Sequence, residues 1–407
     1  MYTLIIHILS LLVRLAARLG NEKAKKLSIG QKQVWEQMKS KLQSGEQRIW
    51  IHCASVGEFE QGRPLIEAIR ANYPQFKIVA TYFSPSGYEL RKNFPETDYA
   101  FYLPFDTARN ARRFIDLVDP RKIYFVKYEL WYHYLKTIRR RHIPFYLVSA
   151  NFRPGQFFFK WYGSWYRPAL KAFTRFFVQN EQSRDLLAQI GFTNATVTGD
   201  TRFDRVCSIA DQARSIPAVE HFVQGKHCIV AGSTWPPDEE IIVRYIHTEN
   251  RDLKWIIAPH ELHDNQIDNL VKSVHVKAIR YSNLSAADPS EYHVLVIDNI
   301  GMLSSLYRYG AVAYIGGGFG KGIHNTLEAA VYGIPVFFGP VHRKFQEAVD
   351  LATRGAAFPI NDYSEFAGQL NDLLDHPDKL HQAGSTAGAF VASGRGATEK
   401  VMRESFS

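Results

Sequence analysis

YIGGGFGKGIHNTLEAAVYGIPVFFGP, residues 314–340, is the part of the chain that decides its fold. It reads as a buried strand at 311–315, a turn carrying Gly316, Gly317, Gly318, Gly320 and Gly322, a helix starting near His324, and a second strand at 335–338. That order is a βαβ unit, with its ligand-accepting turn at the carboxyl end of the first strand. Glycines let backbone approach a phosphate closely, and the N–H groups opening the following helix face an anion. Glu328 falls about one turn into that helix, where a carboxylate accepts hydrogen bonds from ribose hydroxyls. The plainer reading is a tight turn followed by a first-turn acid that suits the helix dipole. Neither G-x-G-x-x-G nor G-x-x-x-x-G-K-[ST] is matched, so the local pattern leaves both readings open.

Working outward, 407 residues accommodate two α/β domains with separate cores. A net charge of +9 favours an anionic partner. No zinc-finger spacing, RNA-recognition signature or long basic run points to nucleic acid, so the charge is assigned to lipid headgroups or substrate phosphates. Three cysteines without a C-x-x-C pair fit a reducing compartment.

Residues 2–19, YTLIIHILSLLVRLAARL, carry His7, Ser10, Arg14 and Arg18 on one helical face and Leu, Ile and Val over the rest. Two arginines in so short a segment disfavour a bilayer span. The pattern predicts a helix in the membrane interface, arginines toward lipid phosphates; the alternative is a helix packed on the protein's own core. From residue 48 strands and helices alternate, predicting parallel sheets covered on both faces. The expected organisation is a helix and connector over 1–45, a first Rossmann-like domain over 46–205, a linker over 206–226 containing Pro217 and Gly225, and a second domain over 227–407 that includes two or three carboxyl-terminal helices.

Glu58, in Ser55-Val56-Gly57-Glu58, follows the first α/β strand, where open parallel sheets bind ligands. A carboxylate there suits a general base, yet Ser-x-x-Glu is equally a capping box. Glu129 in KYELW also follows a strand, and its alternative role is a salt bridge. Arg202 in TGDTRFDR offers a fork for phosphate or carboxylate, or is an ordinary surface charge. His260-Glu261-Leu262-His263 is one residue short of the i, i+4 spacing of a zinc helix, and no Asp-x-Asp triplet is present, so no metal is expected.

HCASVGEFEQGRPLI (52–66), TYFSPSGYE (81–89), FYLPFD (101–106), YELW (128–131), VTGDTRFD (197–204), AGSTW (231–235) and residues 316–340, in that order, resemble the 3-deoxy-D-manno-octulosonic acid (Kdo) transferase family, from the amino-terminal helix to about residue 357. The resemblance implies a GT-B fold, two Rossmann-like domains facing across a cleft. It implies inverting, metal-independent and cofactor-free transfer of Kdo from CMP-Kdo to the 6′-hydroxyl of an anionic lipid A precursor, at the cytoplasmic face of the inner membrane. It matches Glu58 to the catalytic base, and Glu129 and Arg202 to positions that steady the transition state. Around CMP it places Pro259, His260, Gly301, Met302, Leu303, Gly317, Gly318, Asn325, Thr326, Leu327 and Glu328. The chain departs from the family pattern in having Arg202 for lysine, His260 for arginine, Met302 for glutamate and Thr326 for proline. Two other readings are a GT-B transferase or epimerase using a UDP-sugar, and a non-catalytic peripheral membrane protein that binds a nucleotide.

Overall fold

A computed structural model describes residues 2–406 and divides them into two compact units: residues up to Arg205 together with those from Arg395 onward, and Val206–Gly394. The first unit holds β1 (Arg48–His52), β2 (Lys77–Tyr82), β3 (Tyr99–Tyr102), β4 (Pro120–Val126), β5 (Phe145–Ala150), β6 (Arg175–Val178) and β7 (Ala195–Val197). They form one parallel sheet in the order β3-β2-β1-β4-β5-β6-β7. The second unit holds β8 (Cys228–Thr234), β9 (Lys254–Pro259), β10 (Ala278–Arg280), β11 (Val294–Val296), β12 (Val312–Ile315), β13 (Val336–Phe338) and β14 (Ala357–Pro359). Its sheet, also parallel, runs β10-β11-β9-β8-β12-β13-β14.

Both sheets are therefore wound outward in two directions from a central pair, β1/β4 in one unit and β8/β12 in the other. Such a reversal opens a crevice at the carboxyl ends of the two central strands. The residue pattern explains why the sheets are covered on both faces. In β1, Trp50 packs into a cluster with Phe114 and Phe125, whereas Ile49 and Ile51 enter another with Phe59 and Leu65. The helices begin where short polar side chains satisfy exposed N–H groups: Ser55, Ser84, Thr107 and Asn180 each accept a backbone N–H one turn ahead.

Two boundaries differ from the sequence reading. The expected linker over 206–226 is largely helical, in Thr201–Gln212 and Pro217–Val223. Pro217 and Gly225 are start and stop signals rather than loop residues: the proline opens the second helix, and Gln224 (φ 50°) and Gly225 (φ 72°) close it in left-handed backbone. The carboxyl-terminal helix Ala397–Phe406 does not belong with the second domain but packs in the first unit. There Val401 is buried, the Phe406 ring stacks on Tyr73 at 3.9 Å, and Tyr124 donates a hydrogen bond to Ser405 Oγ at 2.8 Å.

The helix Tyr2–Arg18 is held by Ile6, with Tyr2, Leu9 and Val13 packed against Leu27, Tyr102 and Phe105. His7, Ser10 and Arg14 turn toward the rest of the first unit, and Leu4, Ile5, Ile8, Leu11, Leu12 and Leu15 are left exposed, Leu11 by 65%. Among the described residues no helix is long and apolar enough to cross a membrane.

If the returning helix completes the first unit's core, Val401→Ala lowers that unit's stability by about 2 kcal/mol. The second unit's unfolding midpoint should not move; urea unfolding followed separately in each unit checks this.

Candidate functional site

The reversal point of the first sheet carries two acids. β1 ends at His52, the chain turns through Ala54 and Ser55, and the helix Val56–Asn72 begins with Ser55 as its cap. Glu58 lies in the first turn and is only 8% exposed. Its Oε2 accepts the Ala54 N–H at 2.6 Å while Ser55 Oγ accepts the Glu58 N–H at 3.4 Å. The capping arrangement is thus real, but it occupies one carboxylate oxygen; Oε1 has no hydrogen-bond partner among the described residues.

Glu129 follows β4, the neighbouring strand. Its Oε2 accepts the Trp131 indole N–H at 2.9 Å and lies 3.6 Å from His52 Nε2, a buried nitrogen with no hydrogen-bond partner. Lys127, between β4 and Glu129, has left-handed backbone (φ 64°), a sparsely populated conformation for a side-chain-bearing residue. Burial, reinforced by the Glu129 charge, pushes the Glu58 carboxyl up to about 7 against the pull of the Ala54 N–H and the Lys127 cation. A carboxylate in that range takes a proton readily at neutral pH.

Arg202 joins this edge through a buried relay. Gln61, one turn beyond Glu58, donates to both oxygens of Asp200 at 3.0 Å, and Gln179 donates to Oδ2 at 2.8 Å. Asp200 then receives Arg202 Nε at 2.9 Å and the Arg202 backbone N–H at 2.9 Å. Burial opposes ionisation, yet the Arg202 charge and these donors hold the Asp200 carboxyl below its ordinary range. The guanidinium is accordingly positioned rather than a loose surface charge.

In the second unit the turns after β8, β9 and β12 meet. Asp238, fully buried, receives the Trp235 N–H at 2.9 Å, the Gly317 N–H at 2.9 Å and the Tyr314 hydroxyl at 2.8 Å. This carboxylate ties the β8 turn to the glycine turn. The glycines of the turn also serve the packing of the protein itself. Gly317 (φ 90°) spends its N–H on Asp238. A Cβ on Gly318 would lie 2.5 Å from the Gly339 nitrogen, and one on Gly316 would strike the backbone of Ser233. At these positions the absence of side chains lets protein loops approach one another.

Pro259 ends β9, and His260 donates its N–H to Thr234 O at 2.9 Å. The His260 ring stacks on Trp235 with centroids 4.7 Å apart and lies 4.5 Å from that of His324. Burial and then the neighbouring His260 lower His324 to about 4, so it is a neutral ring at pH 7. The helix after the glycine turn begins later than expected, at Leu327–Ala330. Asn325 rather than Thr326 caps it: Asn325 Oδ1 accepts the Leu327 N–H at 3.2 Å, and its amide donates to Glu328 Oε1 at 3.0 Å. Thr326 Oγ1 is buried without a hydrogen-bond partner among the described residues. Gly301 (φ 97°) and Met302 precede the short helix Leu303–Leu306, and the Leu303 side chain abuts Gly232 at the end of β8. A cavity of about 450 Å³ lies alongside, lined by Trp235, Pro236, Glu239, Pro259, Glu261 and Gln266. Among the described residues no three His, Cys, Asp or Glu side chains gather as metal ligands.

The residues that sequence reasoning missed are His52, Gln61, Asp200, Trp235, Asp238 and His324, all inside or beside motifs already singled out. Asp106, the last residue of FYLPFD, is another. It accepts the Tyr2 hydroxyl at 2.6 Å and the N–H groups of His133 and Tyr134, and burial raises it to about 6 against those bonds.

A family description, 3-deoxy-D-manno-octulosonic-acid transferase (kdotransferase), matches residues 15–205, the part that contains Glu58 and Glu129. Over most of its length the chain is similar to Kdo transferases. It is 27% identical over 348 residues to the 3-deoxy-D-manno-octulosonic acid transferase of Aquifex aeolicus, covering 83% of this chain and 88% of that one. The Haemophilus influenzae transferase is 25% identical, with 88% and 86% covered. A member of this family is a glycosyltransferase. The GT-B architecture is shared with solved structures of low identity. The UDP-GlcNAc 2-epimerase of Neisseria meningitidis matches with a TM-score of 0.61 at 15% identity, covering 88% of this chain and 99% of that one. MurG of Acinetobacter baumannii matches with a TM-score of 0.56 at 12% identity, covering 88% and 98%.

Two outcomes test this geometry without reference to catalysis. Because Glu58 ionises near 7 in the folded unit instead of near its usual 4.5, the stability it contributes at low pH is lost as pH rises through about 7. Glu58→Gln should therefore match the parent at pH 4.5 and exceed it by roughly 2–3 kcal/mol at pH 8 in urea unfolding. Gly318→Ala should cost the second unit about 1–3 kcal/mol, whereas Gly320→Ala, with nothing closer than 3.7 Å, should be nearly neutral.

Proposed function

We propose that this transferase moves Kdo from CMP-Kdo to the 6′-hydroxyl of a lipid A precursor, with inversion, without a metal, and with Glu58 as general base. The observation that carries the reading is the Glu58–Glu129 pair at the β1/β4 reversal, with Glu58 held up to about 7. The acceptor hydroxyl gives its proton to Glu58 Oε1 as its oxygen bonds to the anomeric carbon of Kdo. The bond from that carbon to the CMP phosphate oxygen breaks with its electron pair, and CMP departs. Glu129 keeps Glu58 basic by charge repulsion, and Arg202, set by Asp200, stabilises the negative charge that develops on the donor.

CMP is assigned to the second unit, at the β8/β12 reversal. Pro259, His260 and the Gly301–Met302–Leu303 turn would flank the base, and Asn325, Thr326, Leu327 and Glu328 the ribose. Gly317 and Gly318 would shape the turn that borders the phosphate. Similarity to 3-deoxy-D-manno-octulosonic acid transferases supports the sugar.

The membrane surface is the proposed workplace, on the cytoplasmic side of the inner membrane. The exposed leucines and isoleucines of Tyr2–Arg18 support it, since a row of that kind is costly in water and favourable in the headgroup boundary. A second element, unforeseen in the sequence, strengthens it: the segment Phe157–Tyr166 leaves Phe157, Trp161, Tyr162 and Trp165 exposed, Trp161 by 85%. Trp165 packs 5.7 Å from Tyr132, which packs 5.3 Å from Tyr2, so the aromatic segment adjoins the helix. Aromatic rings of this sort favour the membrane–water boundary.

The test is to mix the protein with CMP-Kdo and a tetra-acylated lipid A precursor and to weigh the lipid product. Glu58→Gln should lose about 10²–10⁴-fold in turnover with CMP-Kdo affinity within about twofold; full turnover would remove Glu58 from the mechanism. Wild-type activity should fall below pH 7 as Glu58 is protonated, and Glu129→Gln should carry that limb to lower pH. Competition in which UDP displaces the donor better than CMP would overturn the choice of nucleotide.

A further inference from the structure

Beneath the polar flank of Tyr2–Arg18 lies a groove of about 590 Å³ that none of the residues assigned above enters. Four cations line it: Arg14 from that helix, Lys32 from the helix Glu22–Lys41, and Arg109 and Arg112 from the helix Ala108–Val118. Its lining includes no Asp or Glu. Among the described residues none of the four has an ion-pair partner, and Arg112 only returns a hydrogen bond to Ala108 O at 3.2 Å. The basic strip continues past Arg109 and Arg112 to Arg113, and the acid that ends it, Asp116, is already paired with Arg141.

Four exposed cations that share one groove repel one another, and a bound anion relieves that repulsion. The site therefore suits a multiply charged anion. The helix itself says where such an anion would come from. Its apolar flank, Leu4, Ile8, Leu11 and Leu15, is exposed, whereas Arg14 and His7 on the polar flank border the groove. A molecule whose acyl chains lie along the first flank brings its headgroup to the second. At this volume the groove takes a phosphorylated sugar or glycerol headgroup rather than a bare ion, and arginine forks suit phosphate oxygens.

We infer that the Arg14–Lys32–Arg109–Arg112 groove is a binding site for the phosphorylated headgroup of a lipid. The inference rests on the reading that the protein works at a membrane surface. Two sources share this chemistry, the phosphates of the acceptor lipid and the headgroup of an anionic phospholipid.

The test compares wild type with Arg109→Gln/Arg112→Gln, both exposed positions on a helix surface. A matched control, Lys23→Gln/Lys26→Gln, removes equal charge from exposed positions outside the groove. One arm measures direct binding of bisphosphorylated and dephosphorylated lipid A precursor in neutral detergent, without donor. The other measures partition onto vesicles of phosphatidylcholine with and without phosphatidylglycerol. If the acceptor's phosphates occupy the groove, the first variant binds the bisphosphorylated lipid roughly 10- to 30-fold more weakly, binds the dephosphorylated lipid as wild type does, and keeps its vesicle partition. If phospholipid occupies it, partition onto the anionic vesicles falls by a similar factor and detergent binding is unchanged. If the groove variant and the control behave alike in both arms, the site is not there. Because neither arm uses transfer, loss of binding in a chain that fails to transfer Kdo would keep the groove and overturn the proposed reaction, and the converse holds.

Discussion

A carboxylate that is hard to ionise sits where the first sheet reverses its winding, and the arrangement of that unit follows from it. Burial makes Glu58 harder to ionise and Glu129 harder still, while the Ala54 N–H and Lys127 pull it the other way, leaving it at about 7. The balance depends on β1 and β4 being neighbours, since each contributes the turn that carries one of the acids. Had the sheet been wound in one direction only, β1 and β4 would not be neighbours and the two acids would be too far apart to couple strongly.

The same economy of carboxylates recurs at two more places. Asp200 gathers Gln61, Gln179 and Arg202, and Asp238 gathers Trp235, Tyr314 and Gly317. In each case a buried acid with full hydrogen bonding joins loops from different strands into one rigid edge. Removing a single partner would leave a buried carboxylate under-satisfied, which costs about 1–3 kcal/mol.

Much of the architecture was legible because strands buried on both faces read as short apolar runs, and because Ser55, Ser84 and Asn180 announce the helices that follow them. Residues 206–226 misled because Pro217 and Gly225 are read as loop markers when nothing indicates that a helix lies between them. The tail misled for another reason: amphipathic spacing shows that Val401 and Phe406 are to be buried but not against which unit. Glu58 could be named, yet its environment could not, since the capping bond and the proximity of Glu129 come from residues far apart in the chain. The glycines near Gly318 showed the converse: the residue type was diagnostic of close approach, and only packing could tell that the approaching group was Gly339. The orientation of Tyr2–Arg18 depended on Asp106, more than a hundred positions away.

The chain leaves the first unit at Arg205 and comes back to it at Arg395. Its biosynthesis therefore has an enforced order. The groove between Tyr124, Tyr146 and the helix Val56–Asn72 stays uncovered while all of Val206–Gly394 is being translated, and the Phe406 ring reaches Tyr73 only after the residues that follow Gly394 have been made. The unit that carries Glu58 is the first to be made and is completed only after the other, so a polypeptide stopped before Arg395 leaves that unit with an open apolar seam.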